Sequence, residues 1–209
     1  MKQALFVWGG WDGHTPRQSA ELFANWLGTQ GYQVELADKL EVYADADRLK
    51  TLDLIVPTWT MGTLTPEQEA GLCGAVAAGV GLAGWHGTMC DSFRNNTNYQ
   101  WMTGGQWVAH PGDIQAAYDI HITDPGHDIT RGLGDFTLRD TEQYYLHVDP
   151  SNQVLATTTF ASGVVMPAVW TRRWGQGRVA YASFGHTDKD FDVPEARTIM
   201  ERCLLWASR

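Results

Sequence analysis

The sequence predicts a single α/β domain over residues 1–209, a mainly parallel sheet with helices on both faces and an antiparallel C-terminal extension. Three observations carry this reading. Continuous apolar runs, suited to strands buried on both faces, recur through the first part of the chain. Helical repeats separate them, opened by Thr-Pro-x-Gln starts and closed by glycine. Beyond about residue 101 the helical pattern gives way to short strand-like runs separated by turns.

Taken in order, Ala4-Leu5-Phe6-Val7-Trp8 ends in Gly9-Gly10 and reads as the first strand. Thr15-Pro16-Arg17-Gln18 opens a helix with a capping threonine and proline at its first position, and Gly31 closes it. Ala20, Phe23, Ala24 and Leu27 form its apolar face. Tyr32 to Leu36 and Leu52 to Pro57 are the second and third strands. The same start recurs at Thr65-Pro66-Glu67-Gln68, and that helix stops at Gly79. Val80 to Trp85 is a fourth strand that breaks at His86-Gly87.

The extension offers strands at Ala117 to Ile122, Val154 to Thr158, Ala168 to Thr171 and Arg178 to Phe184. Trp174-Gly175-Gln176-Gly177 is a hairpin signal between the last two. Pro194 to Trp206 is a closing helix, with Ile199, Cys203 and Trp206 at helical spacing.

With 15 Lys and Arg against 24 Asp and Glu, the formal charge is −9, so binding to nucleic acid or anionic lipid would need a local basic patch. Arg172-Arg173 is too small for one. No apolar stretch approaches the ~20 residues of a membrane span, and Met1-Lys2-Gln3 leads straight into the first strand, so a cytoplasmic protein is expected. Three widely spaced cysteines, Cys73, Cys90 and Cys203, read as small buried hydrophobes. Homodimerisation is the default for an oligomer of this kind.

In doubly wound sheets ligands bind beyond the carboxyl ends of the strands. Gly84-Trp85-His86-Gly87 lies at such an end. Glycines flanking one polar residue permit the backbone of a nucleophile elbow, and here the elbow presents an imidazole. That suits a general acid or base or a metal ligand, or simply a cap for the next helix. A dinucleotide site is disfavoured, because Gly9-Gly10-Trp11-Asp12-Gly13 lacks the Gly-x-Gly-x-x-Gly spacing.

The elbow, together with Gly104-Gly105-Gln106-Trp107-Val108-Ala109-His110-Pro111, Glu142-Gln143-Tyr144-Tyr145, Val169 to Val179 and Ser183-Phe184-Gly185-His186-Thr187, resembles the ThuA-like family. The resemblance implies a flavodoxin-like sheet related to class I glutamine amidotransferases and a role with trehalose, related disaccharides or keto-sugars. His86 stands where those amidotransferases carry cysteine, so glutamine hydrolysis is not expected. The loop Gly9 to His14 is shorter than in the longer trehalose-utilisation proteins, which argues against trehalose itself.

His186 stands at a second strand end, and His110 on a loop that could fold over His86. With Glu142 and Asp12 they supply imidazoles and carboxylates for acid–base chemistry, or for a divalent ion such as zinc or manganese. No spacing decides between the two. Trp11, Trp59 and Trp107, at or just beyond strand ends, could stack on a sugar face or pack a core. Arg172 could bind a carboxylate, polarise a carbonyl or form an ordinary ion pair. His121, His127 and His147 read as surface residues. The resulting expectation is an enzyme acting on a disaccharide or keto-sugar by hydrolysis or isomerisation. In it His86 and His186 exchange protons with the substrate and Glu142 orients one imidazole. The alternatives are a non-catalytic sugar-binding or regulatory protein and a metal-dependent hydrolase.

Overall fold

In the computed structural model, which describes residues 1–209, the first apolar run is β1 (Lys2–Gly10), followed by α1 (Pro16–Thr29), β2 (Tyr32–Ala37), α2 (Ala46–Leu49), β3 (Leu54–Thr60), α3 (Pro66–Ala77) and β4 (Gly81–Trp85). The elbow starts α4 (His86–Cys90), and α5 (Thr97–Thr103), β5 (Gly105–Ala109), β6 (Ala116–Ile122), β7 (Phe136–Thr141), β8 (Tyr145–Val148) and β9 (Gln153–Thr159) follow. β10 (Val165–Trp174), β11 (Gly177–Ala182) and α6 (Pro194–Ala207) complete the chain. Thr65 and Gln68 form a full capping box at α3. At α1 the expected cap does not form: Thr15 takes a left-handed backbone (φ 43°), and its hydroxyl accepts from the Asp188 amide instead.

Nine strands form one sheet in the order β2-β1-β3-β4-β11-β10-β9-β6-β7, while β5 and β8 pair separately. The order 2-1-3-4 followed by β11 is the flavodoxin-like arrangement with a long excursion before its fifth parallel strand. Here the structure corrects the sequence reading, which grouped β11 with the antiparallel strands. β11 does pair antiparallel with β10, through the expected Trp174↔Gly177 hairpin, but it runs parallel to β4. Its residues Val179 to Ala182 are buried on both faces, as a central strand requires. The sequence reading did not resolve α5, β5, β7 or β8.

The core lies on the two sheet faces, and strand residues alternate between them. Ala4, Phe6, Val56, Trp85 and Ala182 pack with α1 and α6, whereas Leu5, Val7, Ile55, Leu82 and Tyr181 pack with α3 and α5. Cys90 and Cys203 are buried and Cys73 is half-buried. No helix is long and apolar enough to cross a membrane.

Candidate functional site

Three histidines meet where β1, β4 and β11 end. His86 sits at the elbow with φ 43°, a left-handed backbone uncommon outside glycine. The ring is fully buried and stacks on Tyr144 with centroids 3.6 Å apart. Its Nδ1 lies 2.9 Å from the carbonyl oxygen of Ser183. A carbonyl only accepts, so Nδ1 carries the proton and Nε2 presents a lone pair. That Nε2 is 3.1 Å from Oε2 of Glu142.

His14 closes the short turn after β1 and is buried, with Nδ1 2.8 Å from the Thr60 hydroxyl at the end of β3. Its Nε2 is 3.9 Å from Glu142 Oε2 and has no hydrogen-bond partner. His186 follows β11, and its Nδ1, 3.3 Å from the same oxygen, also lacks a properly aligned partner. Its amide donates to Asp190 Oδ2, which also accepts the Gly185 amide and the Thr141 hydroxyl. Asp190 thus ties the segment carrying His186 to the residue preceding Glu142. Glu142 arrives at the end of β7, and its carbonyl accepts from the Tyr118 hydroxyl.

The four ligating atoms of His14, His86, Glu142 and His186 all lie within 4.8 Å of one another. Burial pushes the His86 imidazole down to about 3, against a smaller opposing pull from Glu142, and burial likewise lowers His14. Burial alone would raise the Glu142 carboxyl, but the three surrounding imidazoles hold it well below the usual carboxylate range. The result is an ionised carboxylate beside two imidazoles, His86 and His14, biased toward the neutral form, while His14 Nε2 and His186 Nδ1 are buried without a hydrogen-bond partner. Three imidazoles and one carboxylate match a first-row divalent ion such as zinc or manganese. The carbonyl that fixes the His86 tautomer is the usual support of a histidine ligand.

Over this cluster opens a cavity of about 300 Å³. Trp11 and Trp107 flank it, Tyr144, His14 and Glu142 contribute to its walls, and Arg94 lies at the Trp107 side, 4.6 Å from that ring and in a two-point ion pair with Asp91. His110, a third exposed, stacks on Trp107.

The structure therefore brings together His86, His186, Glu142, His110, Trp11 and Trp107 from the sequence reading. It does not bring in three others. Asp12 is exposed and does not line the cavity. Trp59 covers Gly9 and Gly62 and lines a separate groove. Arg172 pairs with Asp149 at 3.2 Å and with Asn152. His86 and His186 do not line the cavity. They stand behind Glu142, which does not favour their direct proton exchange with a substrate. The sequence reading missed His14, although its place just after the first strand is the same signal that singled out His86.

Fold and site together define a doubly wound α/β protein with an imidazole–carboxylate centre at the carboxyl ends of its strands. The sequence profile of the ThuA family, described as trehalose utilisation, matches residues 3–207, and the chain belongs to that family. A ThuA-like protein from Bacteroides uniformis is similar in structure (TM-score 0.79, 17% identity, covering 99% of this chain and 91% of that one). So is a cytoplasmic protein from Salmonella typhimurium (TM-score 0.70, 14% identity, 99% and 100%). A β-galactosidase from Bacillus circulans contains a similar unit (TM-score 0.63, 13% identity, 99% of this chain but 30% of that one). At these identities the likenesses establish the fold alone. No curated protein matches the chain by sequence.

Proposed function

We propose that the chain is a divalent-metal-dependent enzyme of carbohydrate metabolism, with the ion held by His14, His86, His186 and Glu142. The observation that carries this is the convergence of three imidazole nitrogens on one carboxylate oxygen, two of them buried without a hydrogen-bond partner. Buried polar atoms are rarely left unsatisfied, and a set that is unsatisfied together points to a shared partner. A bound ion of this class supplies a Lewis acid for a carbonyl or hydroxyl oxygen and acidifies bound water.

That the reactant is a sugar rests on the family's description and on the aromatic cavity walls. A cavity of about 300 Å³ is at the small end for a ligand site, which favours one sugar ring within it and any second unit outside. Trp11 and Trp107 offer flat faces to the ring, and the guanidinium of Arg94, held by Asp91, offers donors to its oxygens. Tyr144 fixes the plane of His86 by stacking and separates it from the cavity.

The test is elemental analysis of protein purified without chelator, followed by turnover assays on a panel of sugars and keto-sugars. Bound zinc or manganese, lost in His14→Ala, with chelator-sensitive turnover, is the expected result. Full turnover by metal-free protein would overturn the reading. Metal-loaded protein that binds sugars in calorimetry but converts none would favour a binding or regulatory protein.

A further inference from the structure

Glu142 has two carboxylate oxygens, and the histidine cluster engages one. Its Oε1 lies 4.0 Å from Nδ1 of His110, and no protein donor hydrogen-bonds it. Asp113 places Oδ1 3.5 Å from the same Nδ1. One imidazole nitrogen therefore faces two carboxylate oxygens at separations too long for good hydrogen bonds. Ligands that share an ion at ~2.0–2.2 Å stand ~3–4 Å apart, which is this spacing. All three ligating atoms lie within 4.8 Å of one another.

The local backbone is built for this approach. Gly112 and Asp113 are both left-handed (φ 95° and 52°), and this turn carries the Asp113 carboxylate back over His110. Such a conformation disfavours aspartate less than most residues but still costs free energy. His110 is held from the other side by Trp107, whose ring lies 5.5 Å away at 30°.

We propose that Glu142 is a bridging carboxylate. In this arrangement Oε2 serves the ion of the histidine cluster, and Oε1, His110 and Asp113 hold a second divalent cation at the cavity side. The inference rests on the metal-dependent reading above and extends it. Two carboxylate oxygens and one imidazole, open to solvent, form a harder and weaker site than the inner one, suited to manganese. Two ions sharing a carboxylate would clamp two neighbouring oxygens of one substrate. The substrate class is then a sugar presenting a vicinal diol or an α-hydroxy carbonyl to the cavity floor.

The experiment is titration of the chelator-treated full chain with Mn²⁺, followed by calorimetry and electron paramagnetic resonance. Two binding events are expected, with a spin-coupled manganese signal at saturation. Asp113→Asn, at a 73% exposed side chain, should weaken the second event by at least ~10-fold while leaving the tighter event and the melting temperature unchanged. His110→Ala should do the same. A single tight event that Asp113→Asn leaves intact, or two ions with no spin coupling, would overturn the bridging role and leave the inner site standing. The absence of any tight event would overturn both.

Discussion

Nε2 of His86 lies 3.1 Å from Oε2 of Glu142, while Nδ1 of the same ring is committed to the Ser183 carbonyl at 2.9 Å. In a neutral ring this sets a lone pair against a carboxylate oxygen in a buried site, which is unfavourable without a cation. A divalent ion should therefore stabilise the wild-type fold. Saturation at 100 Kd is worth ~2.7 kcal/mol, or ~5–10 °C in melting temperature for a chain of this length. Glu142→Gln should reverse the order of stabilities. Its amide can donate to His86 Nε2, so the chelated variant should equal or exceed chelated wild type by up to ~1 kcal/mol and gain little from metal. Scanning fluorimetry of both proteins with and without chelator checks this. A variant that still gains the full metal shift would remove Glu142 from the ligand set.

Acid sensitivity follows from the same cluster. At pH 8 the His86 ring is neutral folded and unfolded. As pH falls below 6.5 the unfolded ring takes up a proton that the buried ring, pushed down to about 3, refuses, so stability declines across that window. Urea midpoints of chelator-treated protein should fall steadily from pH 7 to pH 4, and a flat or rising profile would contradict the neutral cluster.

Gly87 packs directly against the His14 ring and the Tyr144 hydroxyl. A Cβ there would meet Cε1 of the His14 ring at 2.3 Å and the Tyr144 hydroxyl at 2.6 Å. Gly87→Ala should displace His14, weaken metal binding by ~10-fold or more and cost about 1–3 kcal/mol of stability. Gly74 in α3, with nothing within 4 Å of its added Cβ, is the control. Gly74→Ala should gain ~0.5–1 kcal/mol and leave metal binding unchanged. Isothermal titration and chemical denaturation of the two variants separate the effects.

Asp190 acts on the site through its neighbours. One of its oxygens accepts from Gly185, His186 and the Thr141 hydroxyl, and burial raises its carboxyl against those hydrogen bonds. Asp190→Ala leaves three donors without their acceptor and should cost ~3 kcal/mol, weakening metal binding as His186 and Glu142 loosen. Asp190→Asn, which keeps a neutral acceptor, should recover part of both. Metal affinity at matched temperature, alongside the denaturation midpoint, distinguishes positioning from general destabilisation.

Local chemistry made much of the fold legible. The capping box at Thr65 and the two-sided apolar runs of β1, β3 and β4 are properties of adjacent residues, and each forms close to where the pattern places it. The elbow at His86 was legible for the same reason, since glycines around one polar residue at a strand end mark a constrained turn. β11 was misassigned because its hairpin with β10 is visible in the sequence, whereas its parallel pairing with β4 joins residues almost a hundred positions apart.

Local pattern was enough to give the strand-end placement of His86 and His186, the imidazole at the elbow and the family. The packing of distant strand ends puts these two rings outside the cavity lining and brings His14 into their cluster. It also leaves Asp12, Trp59 and Arg172 outside the cavity lining. The reason is physical. Strand-end position follows from local burial and turn propensity, but convergence of ligand atoms depends on side-chain direction and on how β7 brings Glu142 to the ends of β1, β4 and β11. No spacing along the chain encodes that geometry.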